Sequence, residues 1–309
     1  GYITVSPQGE PERKLFYWFV QSAGRPQYDP LILWTNGGPG CSSLLGLLSE
    51  MGPFRPTSLG ELALNPDAWT RFANILFVEQ PAGVGFSTNE DKNYEYTDEK
   101  SAADLWIFIK KFVSLHPQYK TRPFWLAGES YGGHYVPATA LEIVKHNIGE
   151  VNFQGFAVGN PLTNLVDTNC GMYEKMYHFG LLPKPDYDDF TAKKCCKMGT
   201  LQDDEIARSD RSYCNKTSAE WFDLLFPGIH AVTNVTNPGY DYYGLALDVC
   251  TSRRQMMAEL KWMPFGKYVT SRRMAKYTYQ PCLGMPLGHN YVSAYVNRSD
   301  VQRKMGVNG

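Results

Sequence analysis

Two hydrophobic rhythms take turns along the chain. Tyr2 to Val5 and Leu15 to Val20 alternate apolar and polar positions about a turn at Pro7 and Gly9, which predicts a β-hairpin. Short apolar runs at Leu31 to Trp34, Asn74 to Glu79, Pro123 to Ala127 and Val151 to Val158 predict strands, the Pro123 to Ala127 run a buried one. Between them the spacing changes to three and four. Ala102, Leu105, Ile109, Phe112 and Val113 form the stripe of a helix capped by Thr97, with Asp98 and Glu99 in a first turn that favours negative charge and Pro117 at its end. Val136, Ala140, Ile143 and Val144 predict another, ending at Asn147. A shorter helix is expected from Leu44, capped by Ser42 or Ser43 and stopped at Gly52-Pro53. Strands alternating with helices predict an α/β fold, a doubly wound, mostly parallel sheet covered on both faces.

Beyond Leu165 the pattern breaks into short helical pieces among tyrosines and cysteines, with helices expected over Asp186 to Met198 and Ser218 to Phe226. Asn237-Pro238-Gly239 and Pro281 punctuate loops, and Asp300 to Met305 predicts a last helix. The expected organisation is a core over 1–165, an inserted helical, disulfide-bearing lid over 166–296, and a return to the core over 297–309.

Composition narrows the partners. The 30 Lys and Arg nearly balance the 31 Asp and Glu, without a long run of one sign, so neither nucleic acid nor an anionic membrane surface is indicated. Pro30, Pro39 and Pro81 interrupt the richest apolar runs, and none reaches the length of a membrane span. Of the 7 cysteines, Cys170, Cys195, Cys196, Cys214, Cys250 and Cys282 lie in the second half, with Cys41 alone in the first. The same half holds acceptor sequons at Asn215, Asn234 and Asn297. Together they predict an oxidising, secretory setting, with adjacent Cys195 and Cys196 bonded to different partners and one thiol left over. His178 and these thiols lack the paired Cys-x-x-Cys spacing of a zinc site; no metal and no cofactor is expected.

The candidate chemistry is at Gly128-Glu129-Ser130-Tyr131-Gly132, which follows a predicted strand and precedes a predicted helix. That context suits a nucleophile elbow, with Ser130 at the tip, Gly128 and Gly132 needed where a Cβ would clash in the sharp turn, and the Tyr131 N–H free to bind an oxyanion; the plainer reading is a glycine-bounded turn with a capping serine. Asn36-Gly37-Gly38-Pro39-Gly40-Cys41-Ser42-Ser43 follows the third strand, where a hydrolase of this type places its second oxyanion donor, and Gly38 is the candidate. Glu50, near the end of the helix after this loop, is unfavourable beside the negative helix end, so it is either solvated or held by a partner; position alone favours solvated.

The chain resembles the serine carboxypeptidase family, α/β-hydrolase enzymes that trim peptide C-termini. The resemblance rests on Trp34 to Ser43, on Gln80-Pro81-Ala82-Gly83-Val84-Gly85-Phe86-Ser87, and on Gly128 to Tyr135, in that order. Gly132 stands where the family usually has Ala, and Thr35 and Glu79 are also uncommon choices. The resemblance implies Ser130 as the nucleophile of an acyl-enzyme mechanism and Gly38 and Tyr131 as the oxyanion hole. It also implies that Asn36, Glu50 and Glu129 grip the terminal carboxylate of peptide or protein substrates. Two ionised glutamates would repel that carboxylate, so one must carry a proton, which reverses the solvated reading of Glu50 and predicts activity strongest at acidic pH.

The family's triad Asp and His, on the final strands of the sheet, have no counterpart in the sequence. His134 lies one turn along the helix after Ser130, and His289, in a glycine-flanked loop, is the least implausible substitute. The missing pair, with a cysteine able to pair with Cys41, is expected on a continuation of this chain or on a second chain. A family acyltransferase is the alternative, although that branch commonly has Asp where Glu129 stands. A non-catalytic binding homologue is the third reading, should the protein end at Gly309. The expected location is extracellular or vacuolar/lysosomal.

Overall fold

The computed structural model describes residues 1–56, 61–192 and 287–307. The chain divides into two units, one of Gly1–Leu162, Ser271–Tyr279 and His289–Gly309, the other of Thr163–Thr270 and Gln280–Gly288.

In the first unit the alternation of apolar side chains sorts two helical layers onto one sheet. Its strands are β1 (Tyr2–Thr4), β2 (Arg13–Val20), β3 (Leu31–Thr35), β6 (Asn74–Glu79), β7 (Thr88–Asn89), β8 (Pro123–Glu129) and β9 (Asn152–Gly159); β4 (Phe54–Pro56) and β5 (Leu62–Leu64) form a separate hairpin. The order is β1-β2-β6-β3-β8-β9, with β7 on β2. The pairs β1 with β2 and β2 with β6 are antiparallel, whereas β6, β3, β8 and β9 run parallel. Side chains of a strand point alternately to its two faces. Leu76 and Val78 of β6 therefore join Leu31 and Leu33 under α2 (Asp98–Leu115) and α3 (Gly132–His146), where Leu105, Ile109, Phe112, Val136 and Ile143 are buried. Ile75 and Phe77 face the other way, toward Trp34, Leu44 and Leu47 of α1 (Leu44–Ser49), and Val292 of α6 (Leu287–Val296).

Several local expectations change on contact with the fold. Val144 shares the helical spacing of α3 but is 72% exposed, because only the Val136, Ala140 and Ile143 side of that helix meets the sheet. Ser43 does not cap α1; its hydroxyl donates to the Val78 carbonyl and accepts from the Asn36 N–H, while Ser42 takes the Leu44 N–H. The strands β4 and β5 were not expected, since three residues each are too few for an alternation to show. Thr97 does cap α2, accepting from the Lys100 N–H.

The described part of the second unit holds α4 (Leu165–His178) and α5 (Lys184–Ala192), joined by Tyr173 stacked on Phe190 at 3.8 Å. The start of α5 precedes the expected Asp186, and residues 193–198 of the expected helix lie outside those described. So do the expected Ser218 to Phe226 helix, the sequons at Asn215 and Asn234, and all second-half cysteines except Cys170. The chain's last described helix is α7 (Ser299–Met305), one residue earlier than expected.

A buried ion pair fastens α2 to the sheet. Arg13 on β2 donates through Nε to Asp104 Oδ2 at 3.1 Å and through Nη2 to Oδ1 at 3.2 Å, and both side chains are buried. Removing Asp104 takes both of these bonds from the buried guanidinium and leaves it one charged partner, the half-exposed Glu10. Asp104→Ala is predicted to destabilise the protein by about 3–5 kcal/mol in urea unfolding, while Lys14→Ala, which breaks only an exposed pair with Glu12, leaves the midpoint in place. Equal midpoints for the two variants would contradict the clamp.

Candidate active site

The parallel register brings the ends of β3, β8 and β9 level, with Thr35 beside Gly128 and Glu129 beside Gly159. Residues just past such strand ends converge on one crevice. Ser130, the first of these after β8, has φ +55, a left-handed backbone that a side chain rarely adopts. It is exposed at the tip of the turn into α3. Its main chain is held on three sides: the N–H donates to the Gly159 carbonyl at 3.1 Å, and its own carbonyl accepts from Gly133 and Leu162 at 2.9 and 2.7 Å. Its hydroxyl has no hydrogen-bond partner among the described residues. A non-glycine residue in this region costs about 1–3 kcal/mol and persists only where the surroundings fix it.

The glycine loop packs directly on this elbow. A Cβ on Gly37 would meet Tyr131 N, the Glu129 carbonyl and Ser130 Cβ, so only glycine permits the approach. The N–H groups of Gly38 and Tyr131 donate no hydrogen bond among the described residues. Glu79, fully buried at the end of β6, accepts from the Ser42 hydroxyl and from the Phe86 N–H, tying the same loop to the turn at 80–87. Gly132 was expected to be needed for space; a Cβ there would meet nothing closer than the Thr35 carbonyl at 3.7 Å, an ordinary contact.

Asn36 organises the acids. Its Oδ1 accepts from Trp34 Nε1 at 2.8 Å and from the Gly46 N–H at 3.0 Å, which fixes the amide and leaves both Nδ2 hydrogens for other partners. One goes to Glu50 Oε1 at 3.0 Å and the other to Glu129 Oε1 at 2.7 Å. Both carboxyls thus meet on one amide, Glu50 beside Glu129. Burial pushes the Glu50 carboxyl up, and the charge on Glu129 adds to this, to about 7. The backbone at Glu50 is pinned as well, its carbonyl accepting from Arg55 Nη2 and Asn65 Nδ2. Glu50 is therefore held by partners, not solvated.

No described histidine is bonded to Ser130. His134 turns its Nδ1 to Asp98 Oδ2 at 3.0 Å, and His146 and His178 pair with Glu142 and Glu174 on their own helices. His289 belongs to α6 and not to the loop expected, its side chain lying outside the described residues, as does His230. Cys41 is a free thiol, and no group of three or more His, Cys, Asp or Glu among the described residues is placed to hold a metal ion. Sequence reasoning missed three contributors: Trp34 and Gly46, which aim the Asn36 amide, and Asp98, which it noted only as a helix-start charge. Only an even spacing, Trp34 two residues before Asn36, pointed to the first.

The family model described as serine carboxypeptidase matches residues 1–309. The chain is 35% identical to serine carboxypeptidase 24 of Arabidopsis thaliana over 317 residues, covering 100% of this chain and 62% of that protein. With serine carboxypeptidase ctsa-4.1 of Caenorhabditis elegans it shares 40% identity over 186 residues, 60% of this chain and 39% of that protein. Kex1(delta)p, a prohormone-processing carboxypeptidase from Saccharomyces cerevisiae, has a similar fold, with a TM-score of 0.71 and 23% identity over 99% of this chain and 62% of that one. The chain thus spans 62% of the first of these relatives.

The packing of the elbow makes two glycines unequal. Gly37→Ala is predicted to slow labelling of Ser130 by a fluorophosphonate by about a hundredfold, the scale of a lost oxyanion donor, while Gly132→Ala labels at the parent rate. Equal rates for both would show that the loop does not seat on the elbow as described.

Proposed function

The chain belongs to the serine carboxypeptidase family, and we propose that the protein hydrolyses the C-terminal peptide bond of peptides and proteins through an acyl-enzyme on Ser130. The observation that carries this reading is the Asn36, Glu50 and Glu129 cluster, with the Glu50 carboxyl pushed up to about 7, beside an exposed serine on a strained turn. A free carboxylate entering the cluster takes one Asn36 Nδ2 hydrogen over from a glutamate and receives the carboxyl proton as a second hydrogen bond, which fixes the last peptide bond over Ser130.

The Ser130 hydroxyl then adds to the carbonyl carbon and gives up its proton to a base. The oxyanion is met by the Gly38 and Tyr131 N–H groups, the C–N bond breaks, and the protonated amine leaves as a free amino acid. Water repeats the sequence on the ester and restores the hydroxyl. The base and its orienting acid come from outside the described residues, since His134 is engaged by Asp98. Nothing in the comparisons supports a second chain as their source. Acyl transfer to an alcohol would use the same serine and oxyanion hole; the paired glutamates favour hydrolysis, and acceptor assays separate the two. A binding homologue without catalysis would leave Ser130 unlabelled by a fluorophosphonate.

The sequons, and a disulfide at Cys170, support a secretory destination, extracellular or vacuolar/lysosomal. No helix among the described residues is long and apolar enough to cross a membrane. A second unit that begins at Thr163, with the first resuming at His289, supports an inserted lid followed by a return to the core, although these bounds differ from the expected 166–296 and 297–309. Asn297 is exposed between α6 and α7, open to a glycan.

The Glu50 proton sets the pH dependence. Below about 7 the Glu50 carboxyl is protonated and donates; above it the cluster carries two charges and repels a third. KM for free-acid peptides is predicted to rise as pH passes through about 7, and C-terminally amidated peptides to show no such rise. Matching profiles for the two would reject the proposed carboxylate site. For the destination, enzymatic deglycosylation of the protein purified from its source is predicted to convert Asn297 to Asp by peptide mass; an unmodified Asn297 before treatment would count against it.

A further inference from the structure

A second carboxylate lies beside the elbow without a place in the chemistry above. Asp98 is the first residue of α2, next to the Thr97 cap, and each of its oxygens holds a different residue of the turn after Ser130. Oδ1 accepts from the Tyr131 hydroxyl at 3.1 Å, and Oδ2 meets His134 Nδ1 at 3.0 Å. For both contacts to be hydrogen bonds to an ionised carboxylate, the proton of a neutral His134 sits on Nδ1. The Tyr131 and His134 rings stack at 4.5 Å and 11°, one helical turn apart. Tyr131 also sets its ring edge against Tyr135, with centroids 5.0 Å apart. The Tyr135 ring is buried and its hydroxyl lies beside the Gly40 backbone in the glycine loop. A continuous run of contacts therefore leads from the start of α2, through Tyr131, to the loop that carries Gly38.

Tyr131 is the residue whose N–H faces the reacting centre, and it follows a serine held in a strained conformation. A ring fixed at its hydroxyl, on one face by His134 and at its edge by Tyr135 holds in place the Cα beside that N–H, and so limits how far the N–H can drift. Asp98 and His134 are each about a third exposed, at 33% and 32%. A pair that wet adds little to overall stability, so its contribution is to local geometry.

We propose that Asp98 is a positioning residue: by holding the Tyr131 hydroxyl and the His134 ring, it aims the backbone N–H beside Ser130 and thereby sets the rate at which the serine is acylated. This rests on Ser130 being the nucleophile. Aiming matters to the oxyanion and not to the substrate's carboxylate, so loss of Asp98 lowers kcat and leaves KM for free-acid peptides near its parent value.

The test compares Asp98→Ala, Asp98→Asn, Tyr131→Phe and the double variant Asp98→Ala with Tyr131→Phe in the full-length enzyme, reading kcat, KM, the fluorophosphonate labelling rate of Ser130 and the unfolding midpoint. Asp98→Ala is expected to lower kcat and labelling by about tenfold, the scale of a sub-ångström misplacement, with the midpoint unmoved. Tyr131→Phe is expected to fall in the same direction, and the double variant to fall less than the product of the two single effects, because both cut the same link. Asp98→Asn has the same shape and keeps an acceptor for Tyr131 and a donor for the other His134 tautomer, so it restores most of the rate. Should Asp98→Ala not fold, Tyr131→Phe and Asp98→Asn still decide. Full kcat in Tyr131→Phe, multiplicative effects in the double variant, or a fall confined to KM would each overturn the positioning role while leaving Ser130 as nucleophile. A parent enzyme that does not label at Ser130 would instead remove the function on which the inference rests.

Discussion

One buried amide constrains the site. Asn36 is 1% exposed, and a buried carboxamide must place all four of its hydrogen-bonding directions. Two are taken by donors whose positions are set by the fold, the Trp34 indole near the end of β3 and the Gly46 N–H in α1. The amide is then unable to flip, and its two N–H groups are aimed at Glu50 and Glu129. Without that fixed donor pair, two carboxyls with low access to water would separate or be solvated. With it, they are held side by side, and burial with the neighbouring Glu129 charge pushes the Glu50 carboxyl up to about 7. Gly46 cannot be larger, because a Cβ there would meet the Trp34 indole and Asn36 Oδ1.

The sheet supplies the convergence. Asn36 leaves β3, Glu129 ends β8, and Glu50 closes α1, so three separate segments meet only because β3 and β8 are parallel neighbours in register. The elbow at Ser130 is braced from β9 through the Gly159 carbonyl and from the glycine loop through Gly37. Helix α2, locked to β2 by Arg13 and Asp104, brings Asp98 to the same place from the other side of the turn. The site is thus a property of strand ends and helix starts, where backbone groups are unpaired and anions are favoured.

The parts of this that were legible in the sequence have a strong local signal. The strands β2, β3, β6, β8 and β9 are long enough to display alternation or a full apolar run, and the Thr97 cap with its acidic first turn marks α2 without tertiary information. The Ser130 turn was legible because its glycines bound a strand and a helix. What could not be read depends on tertiary packing. Val144 obeys the helical period but looks outward, since period gives a stripe and not its width. Ser43 has the right chemistry for a cap, yet the Val78 carbonyl and Asn36 N–H, distant in sequence, claim its hydroxyl. Gly132 reads as a steric necessity, and there is space beside it. Glu50 reads as solvated from its helix position alone; only the family resemblance, and then the fold, brings it to Asn36. Asp98 shows the limit most clearly, a residue fully explained by its helix start whose contacts with Tyr131 and His134 arise 33 and 36 residues away.

The central claim is that the Glu50 and Glu129 pair lends a proton to a bound carboxylate. Calorimetry of a free-acid peptide binding to the Ser130→Ala protein, in buffers of different ionisation enthalpy at a pH above about 7, measures proton transfer on binding directly. The account predicts uptake of close to one proton for the free acid and none for its C-terminal amide. Binding of the free acid without proton uptake would contradict it.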